Sequence, residues 1–423
     1  MARHDDLLAR HRRVMPSWMP LYYERPIALD DGSGRHVVDA EGNRYLDFFG
    51  GVLTTMIGYN VPEIVEAVRE QAGRMVHTST LYLIEQQIEL AERIAELSGI
   101  PDAKVFFTNS GTEANEAALL LATAYRRSNQ VLAMRNSYHG RSYAAMGVTG
   151  NRAWSPSGLS PLQVSYLHGT DRERFPHLSD AEFVDFCVED LRQVLATATS
   201  GDVACLIAEP IQGVGGFTAP PDGLYRALHE VLAEYGILFV ADEVQTGWGR
   251  TGDHYWGIQA HGVVPDAMTF AKGLGNGLAI GGVVARAELM DCLTAISFST
   301  FGGNPLATRA ALAVLDYVRD HDLQDNARRM GRLLREGLEL LRDKYSVVRA
   351  VRGRGLMLGL ELADPETATK VLEETRARGL LVGKGGLVPR TLRIAPPLTV
   401  TEEEVREALA VLGDAIKVVS VAA

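Results

Sequence analysis

The 423-residue chain is poor in cysteine, in positive charge and in long apolar runs, and each shortage excludes a class of function. Its three cysteines, Cys187, Cys205 and Cys292, are scattered and odd in number, with no CxxC or metal-type spacing. A disulfide framework is excluded on that count, and reduced structural thiols in a cytosolic protein are expected. The eleven histidines form no HExxH and no close cluster with cysteine, so no metal site is expected. Lys and Arg number 42 against 53 Asp and Glu, a net charge of -11. That balance repels nucleic acid and anionic membranes, and neither is expected as a partner. No uncharged apolar run reaches the ~18 residues of a membrane helix. The opening residues, MARHDDLLARHRRVMP, lack the apolar stretch of a signal peptide, and Asp5 and Asp6 are unlike an organelle transit peptide. A short amphipathic arm on a cytoplasmic protein is the expectation. Internal repeats, low-complexity tracts and a Walker-type phosphate loop are missing too.

What is present is a large apolar fraction, 46%, enough for a big core and more than one lobe. Through the middle of the chain, short apolar runs alternate with helical stretches. The runs are 105–107, 131–134, 203–208, 237–241 and 268–271, and a helix-patterned segment covers 113–126. Such alternation predicts βα units around a mostly parallel sheet covered on both faces. Each run stays apolar until its C-terminal end. There Thr108 and Ser110, Tyr138, Glu209, Asp242 and Lys272 appear in turn. Ligands of open α/β sheets bind at the carboxyl ends of the strands, so these residues are expected to converge. The two ends of the chain read differently. Residues 39–43 look like a hairpin turn, 356–362 and 391–394 look like strands, and Thr401 with Glu404 forms a capping box for a last helix. We therefore expect an N-terminal arm and part of a small α+β lobe in 1–57, a large body in 58–315, and the rest of the small lobe in 316–423.

Lys272 closes an apolar run and precedes Gly273-Leu274-Gly275-Asn276-Gly277. Partial desolvation makes such an amine nucleophilic, as a Schiff base requires, although most lysines are simply solvated. The glycines alone suggest a dinucleotide loop, but they follow a lysine and lack the βαβ context with an acidic strand end. Asp242 ends another run, where a carboxylate needs a cationic partner to stay charged. A protonated pyridine nitrogen would serve, and a helix cap or surface pair shared with Glu243 is the plainer alternative. Ser110-Gly111-Thr112 opens a helix after a strand, which is either an anion site or ordinary capping. Tyr138 could stack on a flat ring or sit in the core. Arg141 and Arg393 could fork onto carboxylates or face solvent.

Together, YLDFFGGV (45–52), FFTNSGTEANEAALLLA (106–122), SYHGRS (137–142), AEPIQGVGG (208–216), LFVADEVQTGWGRTG (238–252), DAMTFAKGLGNG (266–277), TFGGNP (300–305) and LRIAPPL (392–398) resemble the class III, or ω-type, aminotransferases of the fold-type-I pyridoxal-phosphate (PLP) enzymes. EPIQGV, TFGGNP and LLVGKG (380–385) look closest to the alanine–glyoxylate aminotransferase 2 branch. The resemblance implies a seven-stranded, mostly parallel large domain and a small domain from both chain ends. It also implies PLP as cofactor and transfer of an amino group to a 2-oxo acid. Lys272 would carry the cofactor and shuttle the proton, with Asp242 on the pyridine nitrogen. Ser110, Gly111 and Thr112 would hold the phosphate, with Thr300 reaching it from the other subunit of a homodimer. Tyr138 and Val244 would flank the ring, and Gln245, Glu209 and His139 would complete the cofactor contacts. Arg393 would take the substrate α-carboxylate, with Arg141 and Tyr22 as further substrate contacts. Val214 stands where 4-aminobutyrate and ornithine enzymes carry a glutamate that masks the α-carboxylate arginine, which leaves Arg393 unmasked. Alternatives on the same fold are a phospho-lyase acting on amino-alcohol phosphates, a decarboxylase or an epimerase. A non-catalytic binding protein and a dinucleotide-dependent oxidoreductase are the alternatives of other kinds.

Overall fold

In the computed structural model, residues 3–19, 21–170 and 172–421 are described. Seven strands form one sheet in the order Ala103–Thr108, Gly281–Arg286, Ala267–Phe270, Leu238–Asp242, Cys205–Ala208, Gln130–Met134, Gln163–Leu167. From Ala267–Phe270 onward all pairings are parallel. Gly281–Arg286 runs antiparallel to both its neighbours. Four central strands are buried at every position, which is why their sequences read as mostly apolar runs. Within them the side chains alternate between two cores. Leu206, Phe239 and Met268 meet Phe183, Leu191 and Leu228 on one face. Ile207, Val240 and Ala267 meet Ala118 and Ala122 of the helix Gly111–Arg126 on the other. Because the strands on either side of Gly281–Arg286 run the same way, their carboxyl ends share one edge, with Thr108, Ala208, Asp242 and Phe270 along it.

Both chain ends contribute to the remaining sheets. Leu29–Ser33, His36–Asp39 and Arg44–Asp47 pair in sequence, and Leu380–Leu381 adds to the last of them in parallel. The expected turn at 39–43 is there: the Asn43 carbonyl accepts the Asp39 N–H at 3.0 Å, and Gly42 takes φ +87°. A second sheet has the order Val348–Arg354, Met357–Leu362, Thr391–Ile394, Gly383–Gly385. The capping box also forms, with Thr401 N–H on the Glu404 carboxylate at 3.0 Å and Glu404 N–H on Thr401 Oγ1 at 3.3 Å. Residue 315, the expected end of the large body, lies inside the helix Pro305–Asp320. Among the described residues, no helix is long and apolar enough to cross a membrane, and no three His, Cys, Asp or Glu cluster to hold a metal ion.

Candidate active site

The strand ends deliver their polar residues to a cavity of about 210 Å³, lined by Lys272, Asp242, Glu209, Gly111, Thr112, Tyr138 and their neighbours. A larger, open hollow of about 1110 Å³ elsewhere is bordered by Arg93 and Arg328. Those arginines are already paired with Asp316 and Asp325, so its size carries no chemistry. The small cavity is the opposite case, because groups of high desolvation cost converge there.

Lys272 follows the strand Ala267–Phe270 with a left-handed backbone, φ +44°, a strained state for a side-chain-bearing residue. Burial pushes its amine pKa down, partly opposed by the negative charges of Asp242 and Glu209. A neutral, nucleophilic amine is thereby easier to reach. Asp242 is 4% exposed. Its Oδ1 accepts the Val244 N–H at 3.1 Å, and its Oδ2 accepts Asn115 Nδ2 at 2.8 Å and lies 2.7 Å from His139 Nδ1. Three donors leave about one of a carboxylate's four lone-pair sites free for a cationic N–H. Glu209 accepts the N–H groups of Tyr138 at 2.9 Å and Gly213 at 2.8 Å. Burial pushes its pKa up to about 7, against the pull of the nearby His139.

Opposite these groups stands the N-terminus of the 16-residue helix Gly111–Arg126. A β-carbon on Gly111 would come within 2.9 Å of a Val244 methyl, and one on Gly140 within 2.3 Å of Thr112 Oγ1. These two bare positions keep backbone N–H groups open beside the helix start, a cradle suited to a phosphate. Thr112 Oγ1 accepts the N–H groups of Arg141 and Ser142, each at 3.2 Å. On the cavity wall, Gln245 Oε1 and His139 Nε2 are buried with no hydrogen-bond partner. An amine, a carboxylate with one open site, an anion cradle and an unused amide oxygen are the complement of a flat pyridine bearing an aldehyde, a hydroxyl and a phosphate. The residues present therefore fit PLP.

Two residues expected at the site, Ser110 and Thr300, lie off the cavity lining. Ser110 does not line the cavity: its Oγ caps the helix by accepting the Glu113 N–H at 3.3 Å, the plainer of the two readings. His139 lines the cavity and is also a hydrogen-bond partner of Asp242. Thr300 is exposed and lies outside the cavity of its own chain. Tyr138 lines the cavity half-buried, its ring held edge-on by Trp154 at 5.5 Å. Val244 and Gln245 line it as expected. Arg141 lies on the lining with an exposed side chain.

Arg393 lies beside the cavity, 4% exposed, its Nη1 on the Gly213 carbonyl at 3.4 Å. Its guanidinium stacks 4.9 Å from the Phe49 ring and 5.7 Å from Phe217; Tyr22 stacks on Phe49 at 5.6 Å and brings its hydroxyl near the same guanidinium. Its Nε has no partner, and none of the ion pairs among the described residues involves it. Val214, at the masking position, is buried and apolar. Sequence reasoning missed Asn115, whose amide bridges Asp242, the His139 carbonyl at 2.7 Å and the Thr269 hydroxyl at 2.7 Å. A lone asparagine one helical turn after Gly111, amid alanines and leucines, was the available signal.

The sequence profile of the family described as aminotransferase class-III matches residues 21–416. An alanine–glyoxylate aminotransferase 2 homolog from Arabidopsis thaliana, a mitochondrial protein, is 39% identical over 95% of this chain and 85% of its own length. An acetylornithine aminotransferase from Caldanaerobacter subterraneus is 39% identical over 94% of this chain and 96% of its own. The crystal structure of an (S)-enantioselective ω-transaminase from Thermomicrobium roseum superposes with a TM-score of 0.90 at 35% identity, covering 98% of each chain.

Proposed function

The chain belongs to the aminotransferase class-III family and is a PLP-dependent transaminase; we propose that its donors are carboxylate-bearing amino acids and its acceptors small 2-oxo acids. Alanine, β-alanine or a 4-aminobutyrate-like ω-amino acid would give the amino group, and pyruvate, glyoxylate or 2-oxoglutarate would take it. The observation that carries this reading is Arg393, a buried guanidinium that forms no ion pair among the described residues and feels only the more distant charge of Glu209. Leaving such a charge unpaired is costly, and a substrate carboxylate completes the pair in bidentate fashion.

PLP supplies an electron sink that makes a proton on the carbon bearing the amino group removable. The rest belongs to side chains. Lys272 would hold the cofactor and, once displaced, carry the proton between the two carbons. Asp242, fixed by Asn115, His139 and the Val244 N–H, would keep the ring nitrogen protonated. Gly111 and Thr112 would seat the phosphate, while Tyr138 and Val244 would hold the ring from either side. Gln245 would meet the ring hydroxyl, and Glu209 would hold the Tyr138 and Gly213 backbones that frame it. Arg393, with Tyr22 at its aromatic stack, would orient the substrate, and Arg141 would receive a second carboxylate.

A homodimer also belongs to this reading. Thr300 sits between Phe298 and Phe301, 51% and 59% exposed, and Leu83 and Ile296 are 94% and 95% exposed. Apolar exposure of that extent fits burial against a second copy, which would carry Thr300 to the neighbouring phosphate site. The test mixes holoenzyme with single amino donors in the absence of acceptor and follows the cofactor's visible band. Transamination bleaches it once, in stoichiometric amount, and an added 2-oxo acid restores it. Repeated turnover without acceptor, with release of inorganic phosphate from an amino-alcohol phosphate, would instead establish a phospho-lyase.

A further inference from the structure

Among the described residues two arginines are buried, and only one of them lies at the active site. The other, Arg250, is 2% exposed, and no carboxylate stands within ion-pair distance among the described residues. Its Nη1 donates instead to two backbone carbonyls, Leu356 at 3.3 Å and Pro396. Its own carbonyl accepts the Leu356 N–H at 3.1 Å. The contact is tight on every side. A β-carbon on Gly355, which has φ +53°, would lie 2.4 Å from the Thr251 carbonyl carbon, and one on Gly252 would lie 2.6 Å from Arg328 Cα.

The two carbonyls are not arbitrary. Leu356 immediately precedes the strand Met357–Leu362, and Pro396 lies two residues past the end of Thr391–Ile394. These strands pair antiparallel, with Leu358 opposite Ile394 and Gly359 opposite Arg393. One guanidinium therefore pins both chains at the same end of the strand pair, within three residues of Arg393. On its other side Arg250 is carried by the segment that leaves Asp242, and the base of that segment is pinned as well. The buried Glu243 carboxylate accepts the N–H groups of Gly257 at 2.9 Å and Ile258 at 2.7 Å.

We infer that Arg250 is a positioning residue that fixes the Met357–Leu362/Thr391–Ile394 strand end relative to the Asp242 strand, and so sets where Arg393 meets the substrate carboxylate. A hydrophobic side chain would fill the same space without the cost of an unpaired buried cation, but it could not hold two carbonyls at once. The inference rests on the reading that Arg393 receives the substrate carboxylate, and a double-mutant cycle separates the two claims. The second-order constant for bleaching of the holoenzyme band by a carboxylate-bearing donor is measured for wild type, Arg250→Met, Arg393→Ala and the double variant.

The expected result is a loss of about tenfold to a hundredfold for Arg250→Met, the scale of a misplacement of an ångström. It should fall on the donor concentration for half-maximal rate rather than on the limiting rate. In the Arg393→Ala background the same substitution should cost nothing further. Arg250→Lys, which keeps the cation and one donor direction, should restore part of the loss. Equal losses in both backgrounds overturn the inference and leave Arg250 purely structural, as does failure of Arg250→Lys to yield soluble holoenzyme. If Arg393→Ala leaves the constant unchanged, the reading of Arg393 fails, whatever Arg250 does.

Discussion

Replacing Asp242 by Asn keeps the shape of the side chain and inverts half of its hydrogen bonding. Oδ1 can still accept the Val244 N–H, which leaves an NH₂ group facing Asn115 Nδ2 and His139 Nδ1. His139 can adapt by moving its proton to Nε2, which has no partner in the fold. Asn115 cannot adapt as easily, because its oxygen accepts Thr269 Oγ1 and its nitrogen also serves the His139 carbonyl. One or two buried donors are thus left unmade, at about 1–3 kcal/mol each. The second loss is chemical. A neutral amide cannot hold a proton on the ring nitrogen, and losing one preorganised charge of this kind costs about a hundredfold to a thousandfold in rate. The assay is the single-turnover bleaching rate of the holoenzyme by its best donor, beside urea unfolding of the cofactor-free protein. Asp242→Asn should bind cofactor, unfold at lower urea and react at least about a hundredfold more slowly. A variant that retains a tenth of the wild-type rate would refute the role assigned to Asp242, whatever its stability.

Glu209 gives a pH dependence. Its folded pKa is raised by burial to about 7 from 4.5, so the folded chain holds a proton that the unfolded chain has released in that window. Its contribution is complete below pH 4.5 and is lost as pH climbs through 7. The urea stability of cofactor-free wild type relative to Glu209→Gln should then fall across that window, by up to about 1.4 kcal/mol per pH unit. A difference that is flat or rises with pH contradicts the assignment. Gly111→Ala places a methyl 2.9 Å from a Val244 methyl without disturbing a helical backbone. Its cofactor Kd should rise about tenfold, as a crowding cost of 1–3 kcal/mol implies. Equilibrium dialysis measures it, and an unchanged Kd contradicts the cradle. Arg141→Ala should raise KM for 2-oxoglutarate about tenfold and leave that for pyruvate unchanged, because only the former has a second carboxylate. Equal effects on both would remove Arg141 from substrate recognition.

The parts of this fold that are legible in the sequence are those where burial is uniform. The strands at 205–208, 238–242 and 267–270 are covered on both faces, so each shows as a mostly apolar run with a charged residue at or just past its end marking the ligand edge. Gln163–Leu167 is an edge strand, exposed or half-buried over four of its five residues, and carries no such run. Gly281–Arg286 starts with two glycines, where β-carbons would strike Ser110, Phe106 and Phe270, which leaves an apolar run too short to stand out. The site divides the same way. Lys272, Asp242 and Glu209 announce themselves as polar ends of apolar strands. The partners of Asp242 do not, because Asn115 and His139 reach it from separate segments that only the tertiary fold joins. Ser110 shows the limit of a local motif: a hydroxyl before a helix serves equally as ligand contact or cap, and here the cap takes it.

The active-site arginine differs from most others in how its charge is met. Elsewhere arginines come with acids close by: Arg35 with Glu404 at 2.8 Å, Arg192 with Glu234 at 2.8 Å, Arg406 with Glu402 one helical turn away. Such pairs are solvated or half-solvated, and each is worth little. The buried arginines break the pattern, where breaking it is most costly. Arg250 answers its charge with two carbonyls and gains a fixed geometry. Arg393 answers its charge with two aromatic faces, the nearby Tyr22 hydroxyl and one long contact to a carbonyl, and its Nε is left without a partner. Aromatic faces stabilise a cation without competing for its N–H groups. The guanidinium is thus held in place while its Nε stays without a partner, an arrangement that would favour a carboxylate over an uncharged group under the reading proposed above.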